Sequence, residues 1–139
     1  MSSFTQPLQL EYQDGRRWLL IHPFTYEIGS EGSGRSISVP AGFVTDFASV
    51  PRFFWRLLPP TGKYGKASVL HDYLYQGGGV TEEVMEQDHT FTVISPVTRK
   101  QADDIFLEAM IVLGVNTWTR RMIYWGVRMG GKGPWVERK

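Results

Sequence analysis

Along the first third of the chain, apolar and polar residues alternate with the two-residue period of half-buried strands. Leu8 and Leu10 alternate with Gln9 and Glu11, Asp14-Gly15 is a tight-turn signal, and Trp18 to Ile21 reads as the return strand. Phe24, Tyr26 and Ile28 alternate with Thr25 and Glu27 in a further strand. Glu31-Gly32-Ser33-Gly34 is a loop tip, Ile37 and Val39 resume the alternation up to Pro40, and Ala41-Gly42-Phe43-Val44 leads into Thr45-Asp46. From Ser49 the spacing becomes helical. Ser49 suits an N-cap with Pro51 in the first turn, and Pro59-Pro60 ends this helix after Leu58. A second helix runs from about Ala67 to Gln76 and stops at Gly77-Gly78-Gly79. Val80 to Pro96 fits neither period cleanly, and Phe91-Thr92-Val93-Ile94 reads as a short strand or part of an inserted hairpin. Thr98-Arg99-Lys100-Gln101 has the form of a capping box and opens a helix ending near Gly114. A last helix, Thr117 to Met129, is closed by Gly130-Gly131. The expected architecture is a single α+β domain over residues 1–139, with an N-terminal antiparallel β-sheet followed by three to four α-helices. Residues 1–47 are mainly β and 49–130 mainly α, with an inserted loop at 77–98 and a basic tail at 131–139.

Composition narrows the function classes. A chain of 139 residues with 42% hydrophobic and 21% charged residues has material for one core and is neither disordered nor fibrous. With no cysteine, a disulfide scaffold, a Cys-ligated zinc site and thiol catalysis are excluded. A net charge of +1 gives no overall preference for nucleic acid, and no specific nucleic-acid partner is expected. Met1 to Gln6 has no basic segment leading into an apolar run, so no signal peptide is expected. The longest charge-free apolar run, Ala109 to Thr119, is about half of a membrane span, and the expectation is a soluble protein without a transmembrane segment.

Candidate chemistry centres on His71. His22, before Pro23 at a strand end, and His89, beside Asp88, read as solvated polar residues. Ala67, Leu70, His71 and Leu74 share a helical stripe, which puts His71 on the buried face, where an imidazole needs a partner. Asp72 lies about 100° round the helix from His71, near Tyr75 and Gln76. On the capping-box helix, Ala102, Phe106, Ala109, Met110 and Leu113 form the apolar stripe. Asp103 sits at its edge and can reach inward, while Asp104 and Glu108 point to the far side. A His71–Asp103 pair between facing helices would fix the ring's tautomer and support general-base chemistry on water, whereas Asp103 as a rim carboxylate would serve the helix dipole alone. Asp46, where the sheet gives way to helices among large apolar neighbours, calls for a specific partner: Arg52, Arg99 or a metal. Ser49 reads as an N-cap rather than a nucleophile, because no glycine-flanked elbow surrounds it. From Asn116 onward six basic residues face one acidic residue, and Arg121, Trp125 and Arg128 share a helix face that suits headgroups, phosphates or an acidic partner. Gly77-Gly78-Gly79 lacks the following Lys of a phosphate loop.

The run Val39-Pro40-Ala41-Gly42-Phe43-Val44-Thr45-Asp46-Phe47-Ala48-Ser49-Val50-Pro51 resembles the opening signature of phage and bacterial proteins grouped as domain of unknown function 1353. His71-Asp72-Tyr73-Leu74-Tyr75 and Arg99-Lys100-Gln101-Ala102-Asp103-Asp104-Ile105-Phe106 resemble its second and third signatures, and Tyr124, Arg128, Gly130 and Trp135 its C-terminal end. The resemblance covers the chain from about Val39 onward and implies a phage context: a place in the virion or host cytoplasm, with other phage proteins or a host membrane or protein as partners. A second, local likeness is to the core of phospholipase A2 enzymes, especially short viral ones, through His71-Asp72-x-x-Tyr75 and Ala102-Asp103-x-x-Phe106. It implies His71 as the base that activates water, Asp103 as the residue orienting it, Tyr75 supporting Asp103, and Asp72 as a Ca²⁺ ligand. The pattern departs from that family in lacking its glycine-rich Ca²⁺ loop before the histidine. Thr61-Gly62-Lys63-Tyr64-Gly65 is short, and the N-terminal sheet has no counterpart there.

Three function classes follow: a hydrolase using His71 and Asp103, a structural component of a phage tail or baseplate with these residues in a buried network, and a host-interaction protein binding through its C-terminal surface. They differ in whether the His–Asp pair opens to a pocket and whether Trp118, Trp125 or Trp135 forms an exposed patch.

Overall fold

A computed structural model describes residues 3–4, 8–13, 17–29, 34–45 and 65–130. The expected helix after Ser49, the loop Thr61 to Gly65 up to Tyr64, Asp46 and the tail at 131–139 with Trp135 lie outside the described residues. The elements, in chain order, are β1 (Ser3–Phe4), β2 (Leu10–Tyr12), β3 (Trp18–Leu20), β4 (Phe24–Glu27), β5 (Arg35–Val39), β6 (Val44–Thr45), α1 (Gly65–Tyr75), β7 (Gly79–Glu86), β8 (His89–Pro96), α2 (Arg99–Val112) and α3 (Thr117–Gly130). They form a mixed α+β domain with two antiparallel sheets, one ordered β1-β4-β5-β7-β8 and the other β2-β3-β6.

The alternation in the first third does specify strands. Phe24 and Tyr26 on β4, and Ile37 and Val39 on β5, are fully buried. Between them Thr25 and Ser38 pair on the opposite face, their hydroxyls 3.1 Å apart. This is the period-2 pattern of a sheet with one face on the core. The helices supply the other half of that core through Leu70 and Leu74 on α1, Phe106 and Met110 on α2, and Ile123 and Val127 on α3. α1 packs against α2, and α2 against α3.

Two features differ from the sequence expectation. The β-structure is split into two sheets, and the larger one is completed by residues that follow α1. The segment 77–98, read as an inserted loop with a short strand or hairpin at Phe91–Ile94, is a full β-hairpin of two eight-residue strands. β7 pairs with β5 through Arg35–Glu82 and Ser36–Thr81, and β8 pairs with β7 along its whole length. The alternation fails there because the outer part of the hairpin meets water on both faces, so Glu82, Glu83 and Glu86 share it with Val84, Phe91 and Ile94 without a buried side. Its turn, Gln87-Asp88, adopts positive φ angles of 51° and 66°, the backbone of a tight hairpin, without the Asn-Gly signal that would announce it.

The glycine run that reads as a helix stop also starts this hairpin. A Cβ on Gly79 would lie 2.6 Å from the Ser95 carbonyl oxygen on the paired strand. Gly79→Ala is therefore expected to destabilise the domain by about 1–3 kcal/mol, since backbone rather than a flexible side chain must yield. Denaturant unfolding of the two proteins measures the difference; equal midpoints would mean that the hairpin base shifts freely.

α2 opens as its sequence predicts. The Thr98 side chain accepts from the Gln101 N–H, and the Gln101 side chain accepts from the Thr98 N–H. This cap fixes the helix start and hence which of the neighbouring residues Asp103 and Asp104 faces α1. No helix among the described residues is long and apolar enough to cross a membrane.

Candidate functional site

α1 is buried nearly all round rather than along one stripe: Ala67 to Asp72, Leu74 and Tyr75 are all buried. The sheets and α2 enclose it, so its polar side chains must be satisfied inside the protein. His71 points at α2, where its Nε2 lies 2.7 Å from Asp103 Oδ1. The Tyr75 hydroxyl, one turn further along α1, donates to the same oxygen at 2.5 Å. Arg128 of α3 donates from Nη1 to the other oxygen, Oδ2, at 2.8 Å. One carboxylate thus gathers an imidazole, a phenol and a guanidinium from two further helices. Side chains of His71 and Asp103 are both 0% exposed, and Arg128 retains 30%. The imidazole lies between two aromatic rings, its centroid 4.2 Å from Tyr75 and 4.4 Å from Phe106.

The electrostatics follow from burial and these contacts. Burial holds the His71 pKa below its ordinary 6.5 despite the opposing pull of Asp103, so the ring is neutral at pH 7. Burial would raise the Asp103 pKa, but hydrogen bonds from His71 and Tyr75 and the contact with Arg128 outweigh it, and the carboxyl is held below its ordinary 3.8. Burial and the Asp103 charge push the Tyr75 phenol well up, which keeps it a donor. A neutral ring beside an ionised carboxylate carries its proton on Nε2, so the ring's lone pair is on Nδ1.

A pH dependence follows. As pH falls through about 6.5, the unfolded chain protonates His71 while the folded chain resists. The unfolded state then binds more protons, so stability falls with acidification. Asp103 adds a loss of the same sign further down, as pH drops below its ordinary range. The melting temperature should therefore decrease from pH 7 to pH 5, and His71→Asn should lack that part of the decrease. Identical profiles for the two proteins would place the titrating group elsewhere.

Asp72 belongs to a second cluster. Its Oδ2 accepts from the Thr45 hydroxyl at 2.6 Å and from Gln76 Nε2 at 2.8 Å, tying α1 to β6. Calcium takes six to eight oxygen ligands, several of them carboxylates. Among the described residues no group of three or more His, Asp or Glu side chains could hold a metal. One Asp72 oxygen already accepts two hydrogen bonds, so the described donors do not by themselves fit a Ca²⁺ site.

The remaining sequence candidates are placed as follows. His22 and His89 are exposed. Asp46 lies outside the described residues. Arg99, one of the partners considered for it, donates to the Val127 and Arg128 carbonyls at the end of α3, at 3.2 and 3.0 Å. Arg121 and Trp125 face solvent. Arg128 is half-buried and donates to Asp103 of α2, since a buried carboxylate attracts a guanidinium within reach. The polar side of α2 is also more than solvated surface. Asp104 accepts from Lys100 at 2.8 Å and from the Tyr124 hydroxyl of α3 at 2.5 Å. Glu108 accepts from the Tyr26 hydroxyl at 2.6 Å and the Gly29 N–H at 3.0 Å.

Residues 18–127 match the model of a family described as protein of unknown function, DUF1353. The chain belongs to this family. The matched span contains His71, Asp72, Tyr75 and Asp103, and ends one residue before Arg128. An uncharacterized protein, y4jT, of Sinorhizobium fredii (strain NBRC 101917 / NGR234) is 29% identical over 121 residues, which cover 82% of this chain and 31% of that protein. The chain therefore spans about a third of the length of the curated relative it matches. No solved structure matches it. Neither the family description nor the relative's name states an activity.

Proposed function

We propose that the chain is a small hydrolase in which His71 acts as general base on a water that attacks an ester, with phospholipid esters as the substrate class. The observation that carries this reading is the coupling of a neutral, buried imidazole to a carboxylate that Tyr75 and Arg128 keep ionised. With Nε2 committed to Asp103, base chemistry falls to Nδ1. Nδ1 takes a proton as the water oxygen bonds to the ester carbonyl carbon, and the imidazolium is stabilised by Asp103. The same proton then passes to the leaving alcohol oxygen as the C–O bond breaks, which restores the neutral ring. Asp103 is a positioning residue, and Tyr75 and Arg128 hold it. No step is routed through a metal; a Ca²⁺ contribution through Asp72 is an additional arm of the test.

The test is fatty-acid release from mixed phospholipid vesicles, with Ca²⁺ and with chelator, by wild type and His71→Asn. Release by wild type that is lost in the folded variant is expected. Sensitivity to chelator would add a metal near Asp72. A folded wild type that releases nothing in either condition would withdraw the reading for these substrates.

The complete burial of His71 and Asp103 favours a second reading. A polar network built around two side chains closed to solvent fixes the packing of three helices without any turnover. In that reading the chain is a structural component of a phage particle, or a host-interaction protein, and the expected result is a stable protein without hydrolytic activity whose partners are other proteins.

A further inference from the structure

α3 carries two apolar stripes. Ile123, Gly126 and Val127 are buried against the domain. On the opposite side Trp118, Met122, Trp125 and Met129 recur at steps of four, three and four residues, which places them along one line of the helix. Trp118 is 75% exposed, and Trp125 and Met129 are each 66% exposed. A tryptophan pair and a methionine left in water on one helix are too much apolar surface for a merely solvated face. Trp118, Met122 and Trp125 also line a shallow groove of about 480 Å³, with Arg121 at its rim.

Charge selects the occupant. α3 has three arginines and no carboxylate. Arg128 is taken by Asp103, and Arg120 donates to the Val115 carbonyl at 3.1 Å. Arg121 is exposed and has no ion-pair partner among the described residues. A second copy packed antiparallel on this stripe would put both Arg121 side chains on the same flank, with no acidic residue on either helix to balance them. An anionic surface removes that conflict. Tryptophan suits the boundary between apolar chains and headgroups, and arginine binds phosphate with its planar fork. From Trp118 to Met129 the stripe is about 16 Å long, enough for a helix lying in the plane of a membrane surface and too short to cross one.

We propose that α3 docks the chain on an anionic lipid surface, with Trp118, Met122, Trp125 and Met129 entering the headgroup layer and Arg121 engaging lipid phosphate. The docking depends on the hydrolase reading only for what it would accomplish, the delivery of an ester to the domain; binding itself is independent of turnover.

The experiment is flotation of the full chain with vesicles of phosphatidylcholine alone and of phosphatidylcholine mixed with phosphatidylglycerol. Wild type should float with the mixed vesicles and bind them at least about ten-fold better than the neutral ones, with binding falling as salt is raised. Trp118→Ala/Trp125→Ala and, separately, Arg121→Glu should each lose about ten-fold in binding while keeping the wild-type melting temperature. Arg121→Lys should retain most of it. A wild type that stays unbound overturns the proposal, and concentration-dependent self-association in its place assigns the stripe to a second copy. Flotation unaffected by the double variant overturns it as well. The two readings separate in wild type: flotation without ester release removes the hydrolase alone, and release from a soluble short-chain ester without flotation removes the docking alone, while His71→Asn should float like wild type.

Discussion

Asp103→Ala is expected to destabilise the domain by about 3–5 kcal/mol, the largest effect of any single substitution considered. The carboxylate is fully buried and accepts from three donors on two other helices. Truncation leaves the His71 ring, the Tyr75 hydroxyl and the Arg128 guanidinium facing a void with no acceptor, and each unpaired group carries its own desolvation cost. A loss of that size is a large part of the total stability of an ordinary domain, so the variant should be partly unfolded at 37 °C. Asp103→Asn keeps shape and one acceptor oxygen and should cost clearly less. Denaturant unfolding of the three proteins orders them. If alanine proves as mild as asparagine, the three donors find other partners and the carboxylate is not the hub of the helix packing.

His71→Asn is expected to reduce ester release by about 10²–10⁴-fold, the range associated with loss of a positioned general base. Its cost in stability should be smaller, about 1–3 kcal/mol, because Asp103 keeps the Tyr75 and Arg128 donors when the ring is removed. The shorter side chain also loses the ring contacts with Tyr75 and Phe106. His71→Gln, whose amide nitrogen can reach further toward Asp103, keeps the test informative should asparagine fail to fold. Two folded variants without activity would support base chemistry at the ring. A folded variant with wild-type release would place the base elsewhere, and two variants that both unfold would identify His71 as a residue of the core network.

The residues of α1 and α2 show how far one dimension carries. The helical stripe of Ala67, Leu70, His71 and Leu74 puts His71 inward. The capping box at Thr98 sets the phase of the next helix, so that Asp103 rather than Asp104 faces α1. Both inferences are local, resting on about 100° per residue and on hydrogen bonds within one turn. Local information also underestimated the burial. Asp103 reads as the edge of a stripe and is fully enclosed, because α3 folds over it and closes the side that a single helical wheel leaves open.

Arg128 and the hairpin mark where that information ends. On its own helix Arg128 sits near Arg121 and Trp125 and reads as surface. Only the crossing of α3 over α2 brings it to Asp103, and no periodicity within α3 encodes the position of a carboxylate 25 residues earlier. The β7–β8 hairpin is obscured for the opposite reason. Its outer half has no buried face, so no alternation is imposed on the sequence, and its place is decided by pairing with β5 across the intervening α1. The Thr45–Asp72 bond likewise depends on bringing β6 beside α1.

Residue order alone carries the early strands, the approximate spans of the three described helices, the capping box of α2 and the inward direction of His71. These are consequences of periods and caps that act over a few residues. Which partners the buried groups find, from the Asp103 hub and its bond from Arg128 to the joining of the late hairpin to the early sheet, follows only from the packing of the elements in space. Those choices depend on how whole elements pack, where a buried charge must be met by whichever donor the fold brings within reach.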